Sequence, residues 1–177
     1  MKTQHFLIFG TVLLLFVTMG LAQKGKPIHW TVTGSNHWLG SDGGLDEGNM
    51  GICGGKGTFG QHTCNTFFTA GPHPDPPSPE CYAQLTSFTH VQRFATGDML
   101  YSRIPDVLLG DNYICFSADG WTGTVTVEFF GGTGRFEGAS GSATWLFDGD
   151  FLGNDFGAAI DEIEGVIYLN GDQVPLS

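Results

Sequence analysis

The sequence predicts an all-β protein: an eight-stranded antiparallel β-barrel with long loops. Composition is the first reason. The chain has 28 Gly, 15 Phe, 4 Trp and 4 Tyr, against only 7 Lys and Arg. Helices favour Ala, Leu, Glu, Lys and Arg, whereas strands and tight turns favour β-branched residues, aromatics and Gly. The second reason is period-two alternation in several short runs, the mark of strands with one wet and one packed face. The third is their number. About eight such runs at regular spacing suit a barrel, and closure removes the unpaired edges that an open sheet exposes.

In chain order, residues 1–22 come first and lie outside the fold. Lys2 precedes an apolar run from Phe6 to Met19, and the small residues Gly20 and Ala22 follow. This is the layout of a secretory signal peptide cleaved after Ala22. The run is broken by Gly10, Thr11 and Thr18 and is too short for a transmembrane helix. The expected organisation is a leader at 1–22, an N-terminal strand with a Gly/Asp-rich loop at 23–56, and a barrel core at 57–177. Residues 23–177 together form one mature domain, secreted or periplasmic and free of the membrane.

Within it, strands are predicted at 28–33, 57–70 (interrupted), 82–91, 99–103, 113–117, 122–129, 140–147 and 162–169. Residues 40–55, rich in Gly and Asp, read as a long loop. Residues 71–80, "GPHPDPPSPE", contain five prolines and form a surface loop, because Pro cannot pair within a central strand. The clearest strand is "TGTVTVEF" at 122–129. Thr122, Thr124, Thr126 and Glu128 share one face; Gly123, Val125, Val127 and Phe129 share the other. In "SGSATWLF" at 140–147, Trp145 and Phe147 likewise oppose Ser142 and Thr144. Strand 82–91 alternates poorly: Ala83, Leu85 and Val91 share a face with Ser87 and Thr89, and Phe88 falls opposite.

Charge narrows the function. The chain carries −11 at pH 7, and −12 once Lys2 leaves with the leader. That balance disfavours nucleic acid and anionic lipid, which are held by Lys and Arg. Four cysteines, Cys53, Cys64, Cys81 and Cys115, in an exported chain imply two disulfides. Because Cys64 and Cys81 bracket the proline-rich loop, Cys64–Cys81 with Cys53–Cys115 is the favoured pairing of the three. A metal site from His62, Cys64 and Cys81 is the lesser alternative.

The motif "GGTGRFEGASGSATW" at 131–145 resembles a phosphate loop only in its glycines. Arg135 and Phe136 stand where a P-loop needs Lys-Ser or Lys-Thr, and strand alternation follows where a nucleotide-binding loop opens a helix. Gly131, Gly132 and Gly134 are therefore assigned to a hairpin turn. No Gly-x-Ser-x-Gly elbow or His-Glu-x-x-His spacing occurs. Asp148, Asp150 and Asp155 are the weak candidates for a calcium site. The loop is not an EF-hand, since Leu152 takes its fifth position and Ala159 its twelfth. Asp161, Glu162 and Glu164 read as solvated charges flanking a strand. His90 and Asp98 are a further pair that a barrel mouth could bring together.

The same motif, with "GDML" at 97–100, resembles the dirigent proteins and the allene oxide cyclase-like barrels, above all their small exported bacterial relatives. The resemblance implies an eight-stranded barrel around a cavity and assembly as a homotrimer. In dirigent proteins, which steer phenoxy-radical coupling, the motif continues to an arginine of the active cavity. Ser140 stands at that position here, so the activity is not carried over.

Function is read in this order. The first reading is non-catalytic binding of a small apolar or aromatic molecule in the barrel, without a cofactor, at Val125, Val127, Phe129 and Trp145. The second is a cyclase or isomerase that confines a reactive intermediate, with Glu128, Asp148 and Tyr113 as the candidate catalytic residues. The third is a secreted structural or interaction protein. Trp121, Phe129, Trp145 and Phe147 read first as core and second as pocket.

Overall fold

The structure, a computed structural model, describes residues 25–38, 48–105, 112–153 and 156–170. The expected signal peptide lies outside the described residues, as does Asp155. Nine strands form one antiparallel sheet: β1 (Lys26–Trp38), β2 (Asn49–Gly57), β3 (Gly60–Pro72), β4 (Ala83–Phe94), β5 (Met99–Arg103), β6 (Tyr113–Phe116), β7 (Gly120–Gly132), β8 (Ser140–Phe151) and β9 (Phe156–Tyr168). The sheet closes through β3–β4. Strands β5 and β6 share one position between β4 and β7. β5 pairs with the C-terminal parts of both neighbours, and β6 with their N-terminal parts. The result is the predicted eight-position antiparallel barrel with one stave in two pieces. Where the pieces part, Asn112 substitutes for strand pairing: its side chain accepts from Leu85 N–H at 3.2 Å and donates to Leu85 C=O at 2.9 Å.

Several strands run past their expected bounds, β9 beginning at 156 rather than 162, and two differ in kind. β2 occupies part of the stretch read as loop. Its composition, "NMGICGGKG", hides it, but the glycines have a packing reason. A Cβ at Gly57 would collide with the Trp30 indole and the His29 carbonyl, and one at Gly55 with the Thr31 carbonyl. The neighbouring stave thus lies too close for a side chain there. β4 contains an irregularity: Thr69 pairs with Ser87 and Ala70 with Leu85, leaving Thr86 as an extra residue. This bulge resets the alternation. Leu85 and Phe88 therefore both face inward, followed by His90, Gln92 and Phe94.

The two ends of the barrel are built differently. At one end, the floor, the turns β2–β3, β4–β5 and β7–β8 are short. The 131–145 motif is the last of these. Gly134 sits at φ +57 and Gly138 at φ +67, both left-handed, and a Cβ on Gly134 would strike the Asp98 carboxylate. A single 3-10 turn (Gly134–Phe136) then drives Phe136 into the barrel, where it is 0% exposed. Its ring packs edge-on against Phe59 at 5.1 Å and lies 4.8 Å from Phe94. Arg135 lies over all three rings and pairs with Asp98 at 3.3 Å. Of the three glycines expected in the hairpin turn, Gly131 and Gly132 end β7 and Gly134 opens the 3-10 turn, and the motif also plugs the floor.

The other end, the mouth, receives the connections β1–β2, β3–β4, β6–β7 and β8–β9. The disulfides are Cys53–Cys64 and Cys81–Cys115, not the pairing favoured from the sequence. Cys53 and Cys64 are direct cross-strand partners with Cα atoms 4.8 Å apart. That proximity exists only because β2 is a strand. Cys81–Cys115 ties the end of the proline-rich loop to β6.

Candidate functional site

Inward-facing side chains fill the floor half of the barrel and leave a gap near the mouth. Trp30, Leu100, Val125, Val127, Phe129 and Phe136 belong to a continuous core. Above them lies a partly open cavity of about 50 Å³, room for roughly three or four waters. Phe68, Phe88, Phe116, Trp121, Trp145 and Phe147 form most of its wall. Four polar residues interrupt that wall: Asn36 at the end of β1, Asn49 at the start of β2, Thr66 on β3 and Asp161 on β9.

The strand pattern explains why Asp161 is inside. Ala159, Ile163 and Ile167 are buried positions of β9, and Asp161 occupies the same face between the first two. Glu162 and Glu164 point outward, where they meet His29 at 3.3 and 3.1 Å. The reading of all three acids as solvated therefore holds for Glu162 and Glu164 and fails for Asp161. The signal was present in the sequence. In "AAIDEIEGVI" the alternation sets Asp161 in an otherwise apolar row, yet a strand expected to begin at 162 left it outside.

Burial pushes the Asp161 carboxyl up to about 7; a hydrogen bond from the Trp145 side chain acts in the opposite direction. Its Oδ1 is inaccessible to solvent and has no hydrogen-bond partner. Asn49 is 0% exposed, and neither its Nδ2 nor its Oδ1 is hydrogen-bonded. Buried polar atoms are nearly always paired, so three orphaned atoms in the wall of one cavity are unusual.

Behind this wall lies His90. Its Nδ1 meets Thr66 Oγ1 at 3.0 Å, and its ring stands edge-on to Trp145 at 4.5 Å. Burial, and then the charge of nearby His62, lowers its pKa to about 3, so it is neutral. His62, bonded to Gln92 at 3.2 Å, is also held below its ordinary value by burial, partly offset by a backbone hydrogen bond at Gly60. Among the described residues the interior thus contains one carboxyl and two imidazoles, both held below the ordinary histidine value.

The residues singled out from the sequence are dispersed. Glu128 is on the outer face, ion-paired with Arg103 at 2.7 Å. Asp148 is exposed on the outer face of β8, and Tyr113 alternates outward from the buried Ile114. None of the three lines the cavity. Of Val125, Val127, Phe129 and Trp145, only Trp145 reaches it; the others are core. Trp121 and Phe147 do line it. Asp148 and Asp150 lie with Glu80 and Asp119 along an exposed groove outside the mouth. His90 and Asp98 do not meet: Asp98 belongs to the floor with Arg135. Cys64 and Cys81 are in different disulfides, which removes the His62, Cys64 and Cys81 metal site. Among the described residues, the atoms of Cys53, Cys64 and His90 come within 4.8 Å of one another, but both sulfurs are bonded to each other.

No family model and no curated protein sequence matches the chain. Among solved structures, a pterocarpan synthase dirigent protein is similar in chain path, with a TM-score of 0.44 and 13% identity over 86% of this chain and 90% of that one.

Proposed function

We propose that this β-barrel protein binds a small apolar or aromatic molecule in the cavity near its mouth, without catalysing a reaction. The observation that carries this reading is the cavity itself: six aromatic residues around a few convergent polar groups, the usual make-up of a small-molecule site. The floor supports it, since among the described residues the Phe136 plug seals that end. Export fits the two disulfides, which form and persist in oxidising compartments. A homotrimer, which the family resemblance implies, would cover the exposed outer row Met50, Ile52 and Phe67.

Benzyl alcohol, toluene and benzylamine are suitable probes, followed by calorimetry and by the fluorescence of the cavity residues Trp121 and Trp145. Saturable binding of at least one, abolished when Thr66→Phe fills the cavity in a folded variant, is the expected result. Failure of all three to bind would sink the reading.

A second reading, a cyclase or isomerase, gains one observation. Asp161 is a lone carboxyl in a confined apolar space with its pKa near neutrality, which suits a general acid or base. In that case Asp161, rather than Glu128, Asp148 or Tyr113, is the residue to substitute first.

A further inference from the structure

We infer that the cavity is selective for a small organic ammonium, a compact apolar body carrying one positive charge, which Asp161 binds as its counter-ion. The inference rests on the cavity-binding reading above and adds the chemical class of the ligand.

The argument begins with what Asp161 lacks. A buried carboxylate ordinarily has a cationic partner, because desolvating an unpaired charge is costly. Here none of the described basic side chains faces the cavity. Lys56 and Arg93 are exposed on the outer face of β2 and β4. Arg103 is paired with Glu128, Arg135 with Asp98, and Lys26 lies over Phe59 at the floor. The charged or titratable groups that face inward toward Asp161 are His90 on β4 and His62 on β3, and burial disfavours the charged form of both. β1 and β8 flank β9 and present Val32 and Phe147 opposite Asp161 in register, with Asn36 and Trp145 nearby on the same inner face.

The rest of the wall suits a cation better than a neutral ring. Aromatic faces attract cations, and aromatic boxes are a recurrent solution for ammonium groups. Trp121, Trp145, Phe88 and Phe147 enclose the same space as the carboxylate. An anion would meet Asp161 with no compensating charge. A purely apolar ligand would leave Asp161 Oδ1 and the Asn49 amide unpaired. An ammonium supplies the donor that Asp161 Oδ1 and Asn49 Oδ1 lack, once a small side-chain rotation turns those covered atoms toward the ligand. The net charge of −11 also raises the local concentration of cations over anions.

The test compares benzylamine with benzyl alcohol, nearly identical in shape and differing in charge, on the full mature chain in 150 mM NaCl. Calorimetry at pH 8.0 and pH 5.5 gives both affinities, and displacement of one by the other shows that they share the cavity. Benzylamine is expected to bind at least tenfold more tightly at pH 8.0. Because it needs the ionised carboxylate, its affinity falls about 30-fold by pH 5.5, where only the ionised fraction of Asp161 is competent. Benzyl alcohol is nearly flat over that range. Asp161→Asn, checked for folding by thermal melting, removes the advantage of the amine and its pH dependence. The wild-type pH series stands alone if that variant does not fold. If benzyl alcohol binds as tightly as benzylamine at pH 8.0, or if the amine is pH-independent, the inference is overturned and the cavity-binding reading survives. If neither binds, both are overturned.

Discussion

The floor and the mouth of this barrel are made from the same staves and solve opposite problems. At the floor, Phe59, Phe94 and Phe136 fill the bore, and Arg135 satisfies its charge on Asp98 while covering their rings. At the mouth, Asn49 and Asp161 are buried with atoms unpaired around a cavity. The floor is packed for stability, although Trp30 Nε1, His62 Nδ1 and Arg135 Nε lack hydrogen bonds there. The mouth gives some stability up, as binding sites commonly do. Substitutions should therefore have opposite signs at the two ends.

The largest effect is expected at the floor. Phe136→Ala should cost about 3–5 kcal/mol, the usual range for a fully buried aromatic, measured as a lower urea midpoint. A loss below about 1 kcal/mol would show that Phe136 is not the plug described.

At the mouth, Asp161→Asn should stabilise, in a pH-dependent way. The folded carboxyl titrates at about 7 and the unfolded one at 3.8, so the folded state binds more protons between those values. Wild-type stability therefore falls as pH rises through that window, by at most about 1.4 kcal/mol per pH unit. The Asn variant lacks this loss. The two proteins should be similar near pH 4 and diverge by pH 8, with the variant ahead. Parallel stability–pH curves would mean that Asp161 is not desolvated.

His90 gives the mirror case and separates burial from charge. Its folded pKa, about 3, lies below the ordinary 6.5, so the unfolded state takes up the proton first. This contribution to stability is present above pH 6.5 and lost as pH falls towards 3. His90→Gln should flatten the acid limb of the urea midpoint against pH and leave the limb above pH 6.5 unchanged in slope. An acid limb as steep as that of wild type would exclude His90 as its source.

The smallest effect belongs to the outer wall, which neither end uses. Removing the exposed Arg103–Glu128 pair should change stability by about 0.2–1 kcal/mol in a double-mutant cycle. Since Glu128 is outside, Glu128→Ala should leave benzyl alcohol binding unchanged.

What was legible in the sequence follows from the range of each interaction. Alternation is local, so 122–129 and 140–147 gave their inward and outward faces directly, and β7 and β8 have them. β2 was illegible because its glycines answer to Trp30 and the β1 backbone on the next stave, not to their own neighbours. The inward turn of Phe88 needed the bulge at Thr86, a matter of pairing between strands. Asp161 lay between these cases: local alternation marked it, but a boundary six residues too late hid it.

The sequence by itself determined the strands with strong alternation, the glycine-bearing turn that follows β7, the all-β class and the acidic net charge. Each of these rests on backbone sterics, short-range periodicity or summed charge, which a linear reading contains. The tertiary structure alone decided the disulfide pairing, the floor plug and the site. Cys53 meets Cys64 across the β2–β3 pair, Arg135 meets Asp98 between two floor turns, and Asp161 meets Trp145 across the β8–β9 pair. Strand pairing brings distant residues within a few ångströms and excludes water, and that exclusion leaves Asp161, bonded to Trp145, with Oδ1 unpaired in the cavity wall.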